Sequence, residues 1–171
     1  MRRVLFFLLL FIAAPAVAQP VRLYDNALSF DLPPGFRPMT AADMAKKYPS
    51  QQPPQHGYTD SDNLSVTIVA TRNVNPAHTP DKLKTFGETV QRSIGGRTGI
   101  TMHRHGVITI GAAVWYALDF AAQTADEPVE NRLRIGVRQG YVVVFSVNAV
   151  TRLFARREAE LQRVLESLKL D

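Results

Sequence analysis

Hydrophobic and polar residues alternate along much of this chain, which is the pattern of β-strands with one buried face. The alternation first occurs at residues 21–25 and 28–32, where residues 26–27 predict a tight turn and therefore a hairpin. It returns at 64–71, after a polar turn, and residues 55–59 before that turn are a candidate hairpin partner. The first part of the chain is thus predicted to form antiparallel strand pairs.

Four more stretches with strand character follow one another closely, at residues 100–110, 113–123, 129–138 and 141–150. The connections between them are short enough for hairpin turns, so we expect an antiparallel meander. Residues 142–145 are apolar on both faces, which is typical of a strand in the middle of a sheet.

Three segments carry helix signals. Thr40, followed three residues later by Asp43, can cap a short helix. A second helix is predicted to begin at residues 79–81 and to end at Gly95, and a third, with one apolar stripe, to cover residues 151–170. Together the elements predict an α+β fold, in which an antiparallel sheet made of the N-terminal hairpin and the C-terminal meander is covered by helices.

The N-terminus reads MRRVLFFLLLFIAAPAVA, with basic Arg2 and Arg3 before an apolar run and small residues up to Ala18. This pattern predicts an export signal that is cleaved after Ala18. The apolar run is about a dozen residues, and a membrane span needs roughly 20. No cysteine is present to carry a lipid. We therefore expect a periplasmic or secreted protein consisting of a single domain, residues 19–171.

Composition narrows the possible partners. The chain has 171 residues and no cysteine, so no disulfide can stabilise it and the fold depends on its hydrophobic core. Its net charge is +5, and removing Arg2 and Arg3 with the signal lowers this by two, to +3. Such a mild excess, not gathered with aromatic residues on one element, argues against a nucleic-acid partner. We expect no cofactor.

The order of elements resembles the PsbP-like and DcrB-like families of small exported α/β domains. The residues that carry the resemblance are 28–36, 111–120 with Trp115 and Tyr116, 140–145 and 165–168. The resemblance implies a PsbP-like α/β sandwich that serves as a binding platform. Members of these families include photosystem accessory subunits, envelope proteins and adaptors of toxin secretion, and none of these roles is catalytic.

His103 and His105 are two residues apart on a predicted strand and are therefore expected on one face, roughly 6 to 7 Å apart. This spacing can serve a metal ion, but a third histidine or a carboxylate is needed nearby. A polar outer face is the favoured explanation of the pair, and we expect no metal site. Asp119 lies between two apolar residues of a strand, and we expect it to form an ion pair with Arg132 or Arg134 on a neighbouring strand.

Arginines at alternate positions of one predicted strand suggest a basic stripe on the solvent-facing side of the meander. They are Arg132, Arg134 and Arg138. Arginine and tyrosine are enriched where partners dock, so this stripe and the loop between Tyr48 and Tyr58 are the predicted contacts with a partner.

The sequence favours an exported, non-enzymatic binding protein with a protein partner in the envelope, either an immunity protein against an envelope-acting toxin or an accessory of secretion or envelope assembly. One alternative is a carrier of a small apolar ligand or lipid, with Trp115, Phe120, Phe145 and Phe154 as cavity walls. A second is a hydrolase, although the chain has neither a cysteine nucleophile nor a Gly-x-Ser-x-Gly turn. The sequence does not indicate an oligomeric state.

Overall fold

The computed structural model describes residues 18–171. Its elements, in chain order, are β1 (Gln19–Leu23), β2 (Leu28–Leu32), β3 (Arg37–Pro38), α1 (Ala41–Lys47), β4 (His56–Thr59), β5 (Val66–Val74), α2 (Leu83–Gly95, entered through a 3₁₀ turn at Pro80–Lys82), β6 (Ile100–Ile110), β7 (Ala113–Ala122), β8 (Val129–Arg138), β9 (Tyr141–Val150), α3 (Thr151–Glu166) and β10 (Lys169–Leu170). The predicted α+β fold class is confirmed, but the prediction that the N-terminal hairpin joins the meander in one sheet is wrong, because β1 and β2 pair with β10 in a separate sheet. The predicted export signal lies outside the described residues except for Ala18, and no described helix is long and apolar enough to cross a membrane.

The larger sheet has seven antiparallel strands in the order β3-β4-β5-β9-β8-β7-β6. The predicted meander from β6 to β9 is confirmed, and so is the pairing of β4 with β5. β9 lies in the interior between β5 and β8, as its apolar residues on both faces predict.

Helices and a smaller sheet cover the two faces of this larger sheet. One face, which we call the α2 side, carries α2 and also α1, whose Met44 lies beside Gly57. The other, the α3 side, carries α3 and a three-stranded sheet in the order β1-β2-β10. The layers therefore form a sandwich with an apolar core on each side of the larger sheet.

Alternation along the strands explains the two cores. Trp115 and Phe145 point to the α3 side and pack with Phe154 of α3, while Tyr116 and Leu118 point to the α2 side. Because both faces of β7 to β9 are covered by other layers, these strands carry apolar side chains in both directions.

Local sequence explains how the helices begin and pack. The Thr40 hydroxyl accepts a hydrogen bond from the Asp43 backbone N–H, and the Asp43 carboxylate accepts one from the Thr40 N–H, which confirms the predicted cap of α1. On α2, Gly87 faces the ring of Tyr116 so closely that a Cβ atom would lie 2.2 Å from the ring. This glycine lets α2 approach the sheet.

Two local predictions were wrong. The first hairpin was predicted to turn through two residues, 26–27. The observed turn has four residues, 24–27, and Tyr24, Asp25 and Asn26 all have positive φ. Asp and Asn tolerate this conformation through their short polar side chains. The third helix ends at Glu166, and Lys169–Leu170 forms β10 against β2, because the last apolar residues are buried by pairing with the hairpin.

Candidate functional site

The free edge of β6 is the longest open backbone on the larger sheet. β6 has eleven residues, forms one end of the strand order, and pairs only with β7 within residues 18–171. Two large apolar side chains of this hairpin are exposed, Val107 at 51% and Val114 at 45%. The outward N–H and C=O groups of an edge strand can pair with a strand of another chain. The edge of β6 is therefore the starting point of the candidate site.

A β-bulge at His103 interrupts β6. Met102 pairs with Phe120 and Arg104 with the next residue, Asp119, so that His103 is an extra residue without a partner across the strand. The bulge shifts the alternation of side chains by one residue. His103 lies on the α3 side, where its Nε2 is 3.4 Å from a Glu130 carboxylate oxygen, whereas His105 lies on the α2 side.

The prediction that His103 and His105 lie on one face of the sheet is therefore wrong. Strict alternation holds only for a regular strand, and the extra residue sends His103 and His105 to opposite sides of the sheet. No three His, Cys, Asp or Glu side chains in the described part of the chain come together in a way that could hold a metal ion.

Asp119 is the centre of a charged cluster on the α3 side. The Arg134 Nη1 atom donates to Asp119 Oδ1 at 2.6 Å, and Arg132 Nε lies 4.0 Å from the other oxygen. Arg132 also donates to Glu130 at 2.9 Å. The predicted ion pair of Asp119 with a neighbouring strand is confirmed, and both Asp119 and Arg134 are buried.

The predicted solvent exposure of the arginine stripe is wrong. Arg134 is only 3% exposed, the Arg132 guanidinium lies 4.4 Å from the centre of the Phe154 ring, and Arg138 donates to the Leu170 carbonyl at 2.6 Å. Apolar residues of β5, β7 and β9 share this face of the sheet, so α3 and the small sheet pack against it. The three arginines are covered together with these apolar residues. A role of these three residues in partner binding stays a prediction, and their internal contacts give it no support.

A pocket of about 300 Å³ opens beside β6 on the α3 side. We call it the arginine pocket, because Arg104 and Arg134 line it together with Gln162 and Glu166 of α3 and apolar residues of β6. Both side-chain hydrogen bonds of Arg134 use Nη1, to Asp119 and to the Leu133 carbonyl. Within residues 18–171, no acceptor bonds to the Nε or Nη2 atom of Arg134. The Arg104 guanidinium, which lines the same pocket, has no acceptor there either.

A second depression, which we call the α2 groove, lies on the opposite side of β6 and has a volume of about 390 Å³. It is lined by His105 and Val107 of β6, by Tyr116, and by polar residues of α2, among them Lys84 and Glu88. Burial raises the pKa of Tyr116, and the nearby Glu88 carboxylate raises it further. The free edge of β6 is thus flanked by one depression on each side of the sheet.

Tyr48 and Tyr58 have internal contacts. The Tyr48 hydroxyl is 2.9 Å from the Thr67 hydroxyl and accepts a hydrogen bond from Asn148, and burial raises the pKa of this tyrosine. Tyr58 meets the Phe30 ring edge-on, and burial raises its pKa as well. Their contact with a partner stays a prediction, but the Pro-rich segment between them is largely exposed.

The aromatic residues predicted as possible cavity walls are packed core residues. Trp115 and Phe145 have no exposed surface, and Phe120 and Phe154 are buried. A separate apolar groove of about 480 Å³ lies beside α2, where Phe86 and Val137 form part of its lining.

The bulge and the arginine pocket were missed by sequence reasoning. One signal was available, since Gly106 interrupts a strand pattern, and glycine inside a strand often marks a bulge or a close approach of another backbone. Gly106 has a φ of +130°, and no atom lies within 4 Å of where its Cβ would be. The cover provided by α3 had no comparable signal, because it depends on the docking of distant residues.

The order of layers and strands defines a PsbP-like α/β sandwich, which confirms the predicted resemblance at the level of the fold. The chain is similar to the solution structure of the cyanobacterial PsbP protein CyanoP from Synechocystis sp. PCC 6803, with 13% identity, a TM-score of 0.62, and coverage of 93% of this chain and 95% of that one.

It is also similar to LpqN, described as involved in cell envelope biogenesis of Mycobacterium tuberculosis, with 16% identity, a TM-score of 0.61 and coverage of 89% of both chains. A third similar structure is PA94 from Pseudomonas aeruginosa, described as a putative regulator, with 12% identity, a TM-score of 0.51 and coverage of 91% of this chain and 98% of that one. No family model and no curated protein matches the chain. Identities this low show the shared fold alone.

Proposed function

We propose that this chain is an exported, non-enzymatic binding protein that contacts another protein in the bacterial envelope. The observation that carries the proposal is the free eleven-residue edge of β6 with a depression on each side. An open edge strand is a surface that recognises other polypeptides through their backbone.

The charged residues near this edge support binding over catalysis. Asp119, Glu130, Arg132 and Arg134 are bonded to one another on the covered side of the sheet. A reaction centre instead directs titratable groups at a substrate within a cleft. The hydrolase alternative stays a prediction that no contact in the described residues favours.

The envelope location rests on the N-terminal sequence pattern, with its basic start, short apolar run and small residues before Gln19. The similarity to LpqN, which is described as involved in envelope biogenesis, agrees with this location. Within it, the protein acts either as an immunity protein against an envelope-acting toxin or as an accessory of secretion or envelope assembly.

A second candidate function, a carrier of a small apolar ligand or lipid, is favoured by one observation, the apolar groove beside α2. In that case Phe86 and Val137 are the contact residues, and the buried aromatic core plays no part. Lipid retained by the purified protein in native mass spectrometry, and lost in a Phe86→Asp variant, would favour the carrier.

The test of the proposed function combines localisation with crosslinking in the producing cells. We expect the mature protein to be found outside the cytoplasm with Gln19 as its first residue. A photo-reactive amino acid is then placed, one position at a time, at exposed sites on every side of the domain. At least one position is expected to give a discrete adduct with a single protein. A cytoplasmic protein with an intact N-terminus, or no adduct from any position, would overturn the proposal.

A further inference from the structure

We propose that the edge of β6 takes up an extended segment of the partner as an additional strand, and that a carboxylate of this segment binds Arg104 and Arg134. This inference rests on the proposed function and names the chemistry of the partner. The occupant is a stretch of polypeptide in extended conformation that carries an aspartate or glutamate.

The backbone of β6 provides the template. After the bulge at His103, the residues from Arg104 to Ile110 pair with β7 without a further shift in register. Seven residues in register offer their outward backbone groups at regular spacing to an incoming strand. Gly106 lies within this stretch, and the open space at the position of its missing Cβ permits close approach of a second backbone.

The two depressions match the alternation of side chains in an added strand. Successive side chains of that strand point to opposite faces of the sheet. On one face they meet the arginine pocket, and on the other the α2 groove with Val107 and His105. A single extended segment can therefore occupy both depressions while it pairs with β6.

The arginine pocket determines the charge of the occupant. Arg134 is 3% exposed, yet its Nε and Nη2 atoms have no acceptor within residues 18–171, and Arg104 has no acidic partner there. A buried guanidinium with unused donors is costly unless an acceptor reaches it, and a carboxylate fits its planar donors best. Glu166 also lines the pocket, but its carboxylate accepts a hydrogen bond from Gln162 at its exposed rim.

The composition of β6 argues against a second copy of the same strand as the occupant. β6 contains Arg104 and two histidines but no carboxylate. Pairing of β6 with itself brings basic residues together and supplies no carboxylate to Arg104 and Arg134. The complement of this edge is an acidic strand from a different protein.

The test begins with a photo-reactive amino acid in place of Val107, with Val74, which is 71% exposed at the end of β5, as the control position. We expect an adduct from position 107 and none from position 74. Mass spectrometry of the adduct identifies the partner segment, which we expect to contain an acidic residue. Adducts that arise only away from β6 would overturn this inference and leave the proposed function intact, whereas no protein adduct from any position would overturn both.

A synthetic peptide of the identified segment then tests the carboxylate contact. Arg104→Gln is expected to weaken peptide binding at least about tenfold, and replacing the peptide's acidic residue by its amide should do the same, since a hydrogen bond between charged groups contributes at this level. Combining the two changes should weaken binding little beyond either one alone. The matched control is Arg97→Gln, which removes an exposed arginine just before β6 and should leave binding unchanged.

Backbone pairing is tested separately with peptides that are N-methylated at alternate residues. One of the two methylation registers removes the N–H groups that face β6 and should abolish binding, while the other should not. Equal binding of both registers would overturn strand addition. If acetate or inorganic phosphate competes fully with the peptide and methylation has no effect, the pocket is a site for small anions and the inference is wrong. A peptide-independent dimer that buries β6 would also overturn it.

Discussion

The two edges of the seven-stranded sheet differ in how they are protected. At one edge, β3 has only two residues, one of which is Pro38, which has no backbone N–H to offer. Arg37 next to it bonds to Asp43 and Asp62, and α1 lies beside this edge. At the other edge, β6 is eleven residues long, and its outer side is unpaired within residues 18–171. Natural proteins usually block edges with short strands and proline, and our proposal that β6 binds a partner rests on the absence of such a block at this edge within residues 18–171.

The polar groups beneath the two edges differ as well. Near β4 and β5, neutral groups bond to one another, as Tyr48 does with Thr67 and Asn148. Near β6, the buried groups are ions, Asp119 and Arg134, and part of the arginine has no acceptor. The neutral groups satisfy one another, whereas the arginine keeps donors that the carboxylate of our proposed partner segment can use.

The largest effect on stability is expected from Asp119→Ala, at the β6 end. The change leaves Arg134 buried without its counter-ion, and breaking such a pair from one side costs about 3–5 kcal/mol. Urea unfolding of the two proteins measures the difference. The control is Asp126→Ala on an exposed loop, which should stay within about 0.5 kcal/mol of the unchanged protein. Equal stabilities of the two variants would show that the ion pair does not stabilise this end of the sheet.

Gly87→Ala is expected to have the next largest effect, because α2 covers β6 and β7 through this glycine. A Cβ here would lie 2.2 Å from the Tyr116 ring, and overpacking of this kind costs about 1–3 kcal/mol. Gly95→Ala in the same helix meets only Met102 at 3.7 Å and should gain up to about 1 kcal/mol from helix propensity. Thermal unfolding of both variants checks the prediction, which fails if Gly87→Ala is as stable as Gly95→Ala.

At the β3 end the expected effect is smaller. Tyr48→Phe removes the hydroxyl that bonds to Thr67 and Asn148 and should lower the free energy of unfolding by about 1 kcal/mol. Tyr58→Phe is a matched control, since burial, and no hydrogen bond within the described residues, accounts for the raised pKa of Tyr58, and the ring contact with Phe30 is retained. Urea unfolding should separate the two variants. Equal losses of unfolding free energy in the two variants would mean that the hydrogen bonds of the Tyr48 hydroxyl do not stabilise the fold.

Regular strands and local caps were predictable from the sequence. The bulge in β6, and the burial of the arginines beneath α3 and the small sheet, were not. The alternation in β7 to β9 and the Thr40 cap are local patterns, and the structure confirms them. The exposure of Arg132 and Arg134 was predicted wrongly, because alternation gives the face of a side chain but not which distant layer covers that face. Similarly, the bulge at His103 depends on pairing with β7, which no pattern within β6 reveals except Gly106.

The smallest effect concerns the charged contact that closes the β3 edge, and this effect is present at neutral pH and lost in acid. Hydrogen bonds from Arg37 and from the Thr40 backbone lower the pKa of Asp43 from 3.8 to about 2. A carboxyl whose pKa is lower in the folded state stabilises the fold above its unfolded pKa, and that stabilisation is lost as pH falls from about 4 to about 2. Asp43→Asn cannot titrate, so the stability difference between the two proteins should be constant from pH 7 to pH 5 and shrink towards pH 2. Parallel acid unfolding curves for the two proteins would show that Asp43 does not contribute to closing this edge.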